Sequence, residues 1–232
     1  MRQATTNLPH PPNDALRLGL FGGTFNPIHV GHIEVAEAAR QRFALDRIFL
    51  IPAAQPPHKQ TLTSAADRLA MACLAVAGRP GWEVSDVELR RAGPSYTIDT
   101  VAWFKRTSPP GTEFFFLLGI DAFLEFNTWK AYSTLVKEVA LIVLARGGDE
   151  ADVAAMIDRL KRFIARHFPS GYRWDAAGAF IHPDSHAVYL FNGPRIAISA
   201  SEIRERIARG EDARPWLDPA VAAYIERKGL YR

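Results

Sequence analysis

The sequence has a single cysteine and no long hydrophobic run. Cys73 cannot form an internal disulfide, which argues against a disulfide-stapled fold, and its Ala-, Leu- and Met-rich surroundings predict a buried structural thiol. The longest apolar runs, residues 114–118 and 139–145, fall far short of the ~20 residues that a membrane span needs. Residues 1–14 contain no apolar segment of the signal-peptide kind, so we expect a flexible tail over residues 1–15 and a cytoplasmic protein.

Neither sign of charge dominates, and two nucleotide-binding motifs are absent. The 28 basic and 25 acidic side chains give a net charge of +3, which requires no nucleic-acid partner and suits an anionic small substrate. The lack of Gly-x-Gly-x-x-Gly disfavours a dehydrogenase-type cofactor domain. The lack of Gly-x4-Gly-Lys-Ser/Thr excludes P-loop kinases and NTPases. With 232 residues, 48% of them apolar, the chain can bury one sizeable core rather than two equal domains.

Apolar runs of strand length alternate with segments of helical period, which is the pattern of a parallel sheet covered by helices. We therefore expect an α/β fold, a doubly wound, mostly parallel sheet, over residues 16–198. A peripheral insertion is expected near residues 147–186, and residues 199–232 should form a small C-terminal helical segment packed on the main domain. The predicted strands are 16–21, 47–51, 82–85, 113–118, 139–145, 187–191 and 195–198. The predicted helices are 33–43, 64–77, 97–106, 152–167, 199–209 and 218–228.

The most informative segment is GGTFNPIHVGH, residues 22–32, which follows the first predicted strand. Gly22 and Gly23 lack Cβ atoms, so the backbone can approach a ligand closely. Asn26 and Pro27 are typical of a helix start, because an Asn side chain caps a helix and proline is tolerated in its first turn. A helix that begins there directs unpaired N–H groups and a positive dipole end at a bound phosphate.

Two histidines lie three positions apart in this segment. His29 and His32 should share one face of the helix, at the end where the anion would bind. Their imidazoles can donate hydrogen bonds to phosphoryl oxygens as negative charge develops in a transition state. Either histidine alone would be better interpreted as a packed core residue beside a tight glycine turn. The whole string, between a strand and a helix, favours the phosphate site.

The string resembles the (H/T)xGH signature of the nucleotidyltransferase superfamily, and within it the GGTFDPIHxGH motif of the nicotinate-nucleotide adenylyltransferases of NAD synthesis. The resemblance covers about residues 16–146 and 194–232. Asn26 replaces the commoner Asp, which puts in doubt any role at that position that needs a carboxylate. Ala200 stands where a second Ser is usual. Four further motifs match in the expected order: PPHK at 56–59, GPSYTIDT at 93–100, LGIDAFLEFNTW at 118–129 and ISASEIR at 198–204.

The resemblance implies a Rossmann-like sheet of order 3-2-1-4-5 and adenylyl transfer from ATP to nicotinate mononucleotide. The products would be deamido-NAD and pyrophosphate, formed by in-line attack without a covalent intermediate. Mg²⁺ would arrive with ATP, since no carboxylate cluster suggests a protein site. The implied catalytic residues are His29, His32 and Arg204. The implied ATP-binding residues are Gly22, Gly23, Thr24, Phe25, Gly119, Asp121, Ser199 and Ser201. The implied nicotinate mononucleotide-binding residues are Lys59, Tyr96, Thr97 and Trp129.

Some of these residues also have simpler interpretations, and other functions stay open. Taken in isolation, Trp129 would be a core residue and Lys59 a solvated charge. A sister nucleotidyltransferase acting on nicotinamide mononucleotide or another phosphorylated acceptor is the nearest alternative. Class I aminoacyl-tRNA synthetases share the signature, but this chain has no KMSKS-like loop and no room for an anticodon domain. A non-catalytic protein that uses residues 147–186 as an interaction surface is a further alternative. The sequence does not indicate an oligomeric state.

Overall fold

The computed structural model describes residues 15–55, 63–145, 147, 149–175, 178–194 and 197–232, so nearly all of the predicted tail over residues 1–15 lies outside the described residues. The strands are β1 Arg17–Gly23, β2 Arg47–Pro52, β3 Trp82–Val84, β4 Glu113–Gly119, β5 Ala140–Ala145, β6 Arg173–Trp174, β7 Ala179–His182 and β8 Ser185–Asn192. The α-helices are α1 Val30–Arg42, α2 Ala65–Val76, α3 Thr97–Thr107, α4 Ile120–Phe123, α5 Tyr132–Glu138, α6 Glu150–His167, α7 Ala200–Ala208 and α8 Pro219–Lys228.

The strands form one sheet of order β3-β2-β1-β4-β5-β8-β7-β6. The predicted order 3-2-1-4-5 is confirmed, and all pairs from β3 to β8 are parallel. The chain proceeds from β1 to β2 and β3 on one side, then returns to β4 on the other side of β1. The crevice outside the carboxyl ends of β1 and β4 is therefore the topological switch point, where open α/β sheets bind ligands.

The central strands are buried on both faces. Leu117 and Ile142 belong to a core on one face of the sheet. Their neighbours Leu118 and Val143 belong to a second core on the opposite face. Because successive side chains of a strand point to opposite faces, a strand with two covered faces needs a continuous apolar run. β4 and β5 have such runs, whereas Arg47 of β2 and Glu83 of β3 are exposed.

The C-terminal helices pack against the first of these two cores. Ile203 of α7 and Val221 and Ile225 of α8 are buried there, on the same side of the sheet as α1 and α2. The Asp218 carboxylate caps α8 by accepting from the Ala220 N–H at 2.9 Å. No helix among the residues with described structure is long and apolar enough to cross a membrane.

The far edge of the sheet differs from the sequence prediction. The segment 147–186 contains α6, β6 and β7, and β7 pairs antiparallel with β8. The strand predicted at 195–198 is wrong where it is described, because residues 197–198 are not in a strand, and residues 195–196 lie outside the described part of the chain. Pro194 follows β8 closely, and proline cannot donate to a strand ladder.

The predictions for Cys73 and for the start of α1 are also wrong. Cys73 is exposed, because the buried face of α2 is formed by its neighbours Met71, Ala72, Ala75 and Val76. The Ala- and Leu-rich composition of α2 concealed which face is buried. Helix α1 begins at Val30 with His29 as its N-cap, not at Asn26 and Pro27.

Glu37 connects α1 to β3 and gives the fold an acid-sensitive contact. Its carboxylate accepts from Arg40 Nη2 at 2.8 Å, Trp82 Nε1 at 2.9 Å and Gln41 Nε2 at 2.9 Å. The hydrogen bond from Arg40, helped by the other two donors, lowers the pKa of Glu37 from 4.5 to about 2. Because the folded pKa is the lower one, the stabilisation is complete above about pH 4.5 and is lost as the pH falls towards 2.

Replacing this carboxylate should therefore destabilise the protein in a pH-dependent way. We expect Glu37→Gln to lower the free energy of unfolding by about 1–2 kcal/mol at neutral pH, because the hydrogen bonds from Arg40, Trp82 and Gln41 lose their charged acceptor. The loss should shrink at pH values near 2, where about half of the wild-type carboxylate in the folded protein is itself protonated. Denaturant unfolding of both proteins across this range measures the difference, and an equal loss at both ends would contradict the assignment.

Candidate active site

A cleft of about 1050 Å³ lies outside the carboxyl ends of β1 and β4. Its walls come from the loop after β1, the start of α3, the segment after β4 and the first turn of α7. Every site residue predicted from the sequence lines this cleft except Lys59, which lies outside the described residues. The predicted residues that line it are Gly22, Gly23, Thr24, Phe25, His29, His32, Tyr96, Thr97, Gly119, Asp121, Trp129, Ser199, Ser201 and Arg204. Motifs that are distant in the sequence therefore meet at one place.

Packing of aromatic rings fixes the loop after β1. A Cβ atom on Gly23 would lie 2.8 Å from the Phe25 ring, and one on Gly22 would lie 3.0 Å from the Phe116 ring. Phe25 adopts a φ of 48°, in the left-handed region, while its ring is buried in the core. Its ring also contacts the His32 ring edge-on at 5.2 Å. The two glycines are therefore needed for this loop shape, which leaves the loop backbone as part of the cleft wall.

His29 and His32 form a pair of contacting rings, tilted by 37°, at the start of α1. His29 is the N-cap and is buried, and its ring centre lies 3.8 Å from that of His32. The His29 backbone N–H donates to His32 Nδ1 at 3.3 Å. Since Nδ1 accepts, the neutral His32 ring carries its proton on Nε2 and has an N–H to donate. The first turn of α1 thus supplies imidazole and backbone donors suited to an anion.

Helix α7 brings a second set of donors to the same cleft. Ser199 is its N-cap, and its hydroxyl accepts from the Glu202 N–H at 3.2 Å. Arg204 donates through Nη1 to the Asn26 carbonyl oxygen at 2.8 Å and through Nη2 to Ser201 Oγ at 3.1 Å. The guanidinium therefore bridges the first turn of α7 and the loop after β1. A fixed cation at a helix N-terminus is a suitable site for phosphate groups.

The start of α3 forms the opposite wall of the cleft. Tyr96 is the N-cap of α3 and Thr97 is its first residue. The Lys130 ammonium lies 4.5 Å from the centre of the Tyr96 ring and 3.2 Å from the Asp99 carboxylate. Lys130 also lines the cleft, and the sequence analysis missed it, although it directly follows Trp129 in a recognised motif. This wall combines an aromatic surface with a helix N-terminus and a lysine.

Trp129 satisfies both interpretations of the sequence. Its ring packs edge-on against Phe116 at 6.0 Å and at a tilt of 39° against Phe126 at 5.0 Å. The side chain is nevertheless only partly buried and lines the cleft. Its position is therefore fixed by core aromatic residues while part of its surface faces the site.

Glu88 is a cleft-lining carboxyl group that no sequence motif indicated. It is buried, and its Oε1 accepts from the Thr100 hydroxyl at 2.7 Å. Arg91 in turn donates to Thr100 Oγ1 at 2.6 Å. Burial raises the pKa of Glu88.

Among the residues that the structure describes, no three His, Cys, Asp or Glu side chains form a group able to hold a metal ion.

Comparisons with known proteins agree with this architecture. The cytidylyltransferase-like family matches residues 20–206 of the chain. A relative from Trichlorobacter lovleyi named "Probable nicotinate-nucleotide adenylyltransferase" is 38% identical over 219 residues, covering 94% of this chain and all of the relative. A relative of the same name from Desulfatibacillum aliphaticivorans is 40% identical over 223 residues and covers 93% of this chain and all of that protein.

A solved structure has the same fold. The Plasmodium falciparum nicotinic acid mononucleotide adenylyltransferase complexed with NaAD aligns with a TM-score of 0.65 at 20% identity, covering 93% of this chain and 97% of that one. At this identity the likeness establishes the fold, while the bacterial relatives establish the family. The chain belongs to the nicotinate-nucleotide adenylyltransferase family, within the cytidylyltransferase-like nucleotidyltransferases.

Proposed function

We propose that this protein transfers the adenylyl group of ATP to nicotinate mononucleotide, releasing pyrophosphate and forming deamido-NAD. One observation carries the proposal: the N-termini of α1 and α7 open into the same cleft, where they bring His29, His32 and Arg204 together. Two donor-rich ends directed at one space suit a polyphosphate better than a single phosphate. The names of the relatives with 38–40% identity fit the same reaction.

ATP would lie across the loop after β1. The α-phosphate would lie close to the backbone of Gly22, Gly23, Thr24 and Phe25, next to the histidine pair. Arg204, together with the hydroxyls of Ser199 and Ser201, would hold the β- and γ-phosphates. On the wall after β4, the Asp121 carboxylate would accept from ribose hydroxyls beside Gly119, where a Cβ would meet no atom within 4 Å. These roles account for every predicted ATP-binding residue.

Nicotinate mononucleotide would lie on the wall that the start of α3 forms. The partly buried Trp129 offers a flat surface to the pyridine ring. Tyr96 and Thr97 open α3, whose N–H groups and positive dipole end favour a carboxylate over a neutral amide. Lys130 adds a cation on the same wall, although Asp99 balances part of its charge. Lys59 stays a prediction for this substrate.

The reaction needs positioning and charge neutralisation more than proton transfer. The attacking phosphate is already an anion, so no general base is needed, and the in-line geometry follows from holding two polyanions in one cleft. His29 and His32 would donate to the α-phosphoryl oxygens, and Arg204 would stabilise the leaving pyrophosphate. ATP would enter as its magnesium complex, in which the metal neutralises phosphate charge. We place this reaction in the cytoplasm, with no nucleic-acid or membrane partner.

The function can be tested by mass detection of the dinucleotide. The protein is mixed with ATP, MgCl₂ and either nicotinate or nicotinamide mononucleotide. We expect deamido-NAD, with kcat/KM for the acid at least about tenfold above that for the amide, which corresponds to about 1.4 kcal/mol of favourable charge interaction at the α3 N-terminus. A preference for the amide would indicate a sister enzyme. ATP binding without any dinucleotide, or salt-dependent RNA retention without it, would overturn the assignment.

A further inference from the structure

The end of the chain packs against the loop after β1. Helix α8 stops at Gly229, which has a φ of 62°, and the Leu230 N–H then donates to the Ile225 carbonyl at 3.0 Å. Tyr231, the next-to-last residue, follows with a φ of 67°. This reversal places the Tyr231 side chain next to Asn26 in the loop after β1.

Asn26 is held from two sides by distant parts of the chain. The Tyr231 hydroxyl donates to Asn26 Oδ1 at 2.6 Å, across 205 positions of sequence. Arg204 Nη1 donates to the Asn26 backbone carbonyl at 2.8 Å, across 178 positions. Asn26 is 7% exposed, so neither of its oxygens can readily exchange its partner for water. Asn26 directly follows the strained Phe25 and lies three residues before His29.

The chemistry of the Tyr231 hydroxyl suits this contact. Burial raises the pKa of Tyr231 to about 12, against the opposing effects of a hydrogen bond with the Thr63 side chain and of the nearby Arg204 and Arg68 cations. The phenol is therefore protonated at neutral pH and can donate. The acceptor at position 26 needs only an oxygen, which Asn and Asp both provide. The carboxylate that Asn26 lacks is consequently not required for this contact.

We propose that Tyr231 is a positioning residue for adenylyl transfer. Through Asn26 it holds the backbone of residues 24–29 in the shape that directs His29 and the first N–H groups of α1 at the α-phosphate. Tyr231 does not line the cleft and would act only through this loop. The inference rests on the proposed function, which supplies the reaction that the loop serves.

Tyr231→Phe removes the hydroxyl and keeps the buried ring. We expect kcat to fall about tenfold, with the KM values for ATP and the mononucleotide within about twofold of wild type. The melting temperature should fall by only a few degrees, because Asn26 loses one buried hydrogen-bond partner. The matched control is Tyr224→Phe, because the Tyr224 hydroxyl of α8 donates to Asp67 of α2 at 2.7 Å and not to a residue of the loop. The control should keep the wild-type kcat. Equal kcat values for the two variants would overturn the proposal.

A double-mutant cycle tests whether Tyr231 acts through Asn26. Asn26→Ala should lower kcat, and adding Tyr231→Phe should lower it no further, whereas Asn26→Asp should keep most of the activity by retaining an acceptor. Independent, additive losses would contradict the link. A loss of activity in Asn26→Asp as large as in Asn26→Ala would contradict it as well.

Amide hydrogen exchange gives a readout that does not depend on the substrate. Tyr231→Phe should speed exchange of the amides within residues 24–29 at least about tenfold relative to wild type, and Tyr224→Phe should not. Unchanged hydrogen exchange in this loop would refute the positioning role, even if the protein proved to transfer the adenylyl group to a different substrate. A wild-type protein that makes no dinucleotide would refute the proposed function, while the exchange result would still decide the role of Tyr231.

Discussion

His32→Ala should lower kcat for adenylyl transfer by about 10²–10³-fold, the usual cost of removing one donor aimed at transition-state charge. Contacts that hold the ring include a hydrogen bond from the His29 N–H at 3.3 Å, the tilted His29 ring at 3.8 Å and an edge-on contact with the Phe25 ring at 5.2 Å. A donor fixed in this way needs no reorganisation during the reaction, so its loss should affect kcat more than the KM for ATP. Steady-state kinetics with ATP and nicotinate mononucleotide measure both values.

His167→Ala is the matched control for loss of an imidazole. His167 ends α6 and packs against Phe163 at 4.8 Å, and it does not line the cleft. We expect its kcat to stay within about twofold of wild type, because its ring packs against Phe163 of its own helix and lies outside the cleft. If His32→Ala retained a rate within about tenfold of wild type, the assignment of His32 to the phosphoryl oxygens would be wrong.

The central strands could be predicted from their apolar runs, whereas their order could be predicted only from the motif resemblance. Alternate residues of β4 and β5 pack into the two cores on opposite faces of the sheet, so both strands are continuous apolar runs in the sequence. The motif resemblance then implied the order in which the strands pair. By contrast, β6 has two residues and β7 has four, and their antiparallel pairing beyond β5 depends on contacts that no local pattern records.

Site residues within motifs could be predicted to meet, and those outside motifs could not. The histidine pair, Arg204 and Trp129 line one cleft as the strings at residues 22–32, 118–129 and 198–204 implied. Tyr231 and Glu88 could not be predicted in this way. Tyr231 contacts Asn26, which is far along the chain, and Glu88 contacts the buried Thr100. Sequence spacing carries no signal for either contact.

Asn26 was assigned the wrong role for a related reason. Its side chain can cap a helix, but the fold uses its two oxygens for Tyr231 and Arg204 instead. His29 takes the N-cap position of α1. Local propensity alone could not decide between these uses, because the competing partners lie near the other end of the chain.

Arg204→Lys should lower kcat/KM for ATP about 100-fold, or about 2.7 kcal/mol. Its guanidinium already spans the Asn26 carbonyl at 2.8 Å and Ser201 Oγ at 3.1 Å, which fixes the plane of the fork beside the first turn of α7. A lysine keeps the charge but cannot hold both contacts and still present parallel donors to a phosphate. The substitution therefore separates geometry from charge. Kinetics at varied ATP should show the KM rising and kcat falling together.

Arg209→Lys provides the comparison on the same helix. Arg209 lies at the exposed C-terminal end of α7 and pairs with Glu211 at 2.6 Å. Arg209→Lys is therefore the same arginine-to-lysine substitution, made far from the cleft. Its kcat/KM should stay within about twofold of wild type, since exposed ion pairs contribute little. If Arg204→Lys matched this control, positive charge alone would suffice at the phosphates, and the fork-like grip on pyrophosphate would have to be abandoned. A loss confined to Arg204→Lys would show that the geometry bridging α7 and the β1 loop is what the leaving group requires.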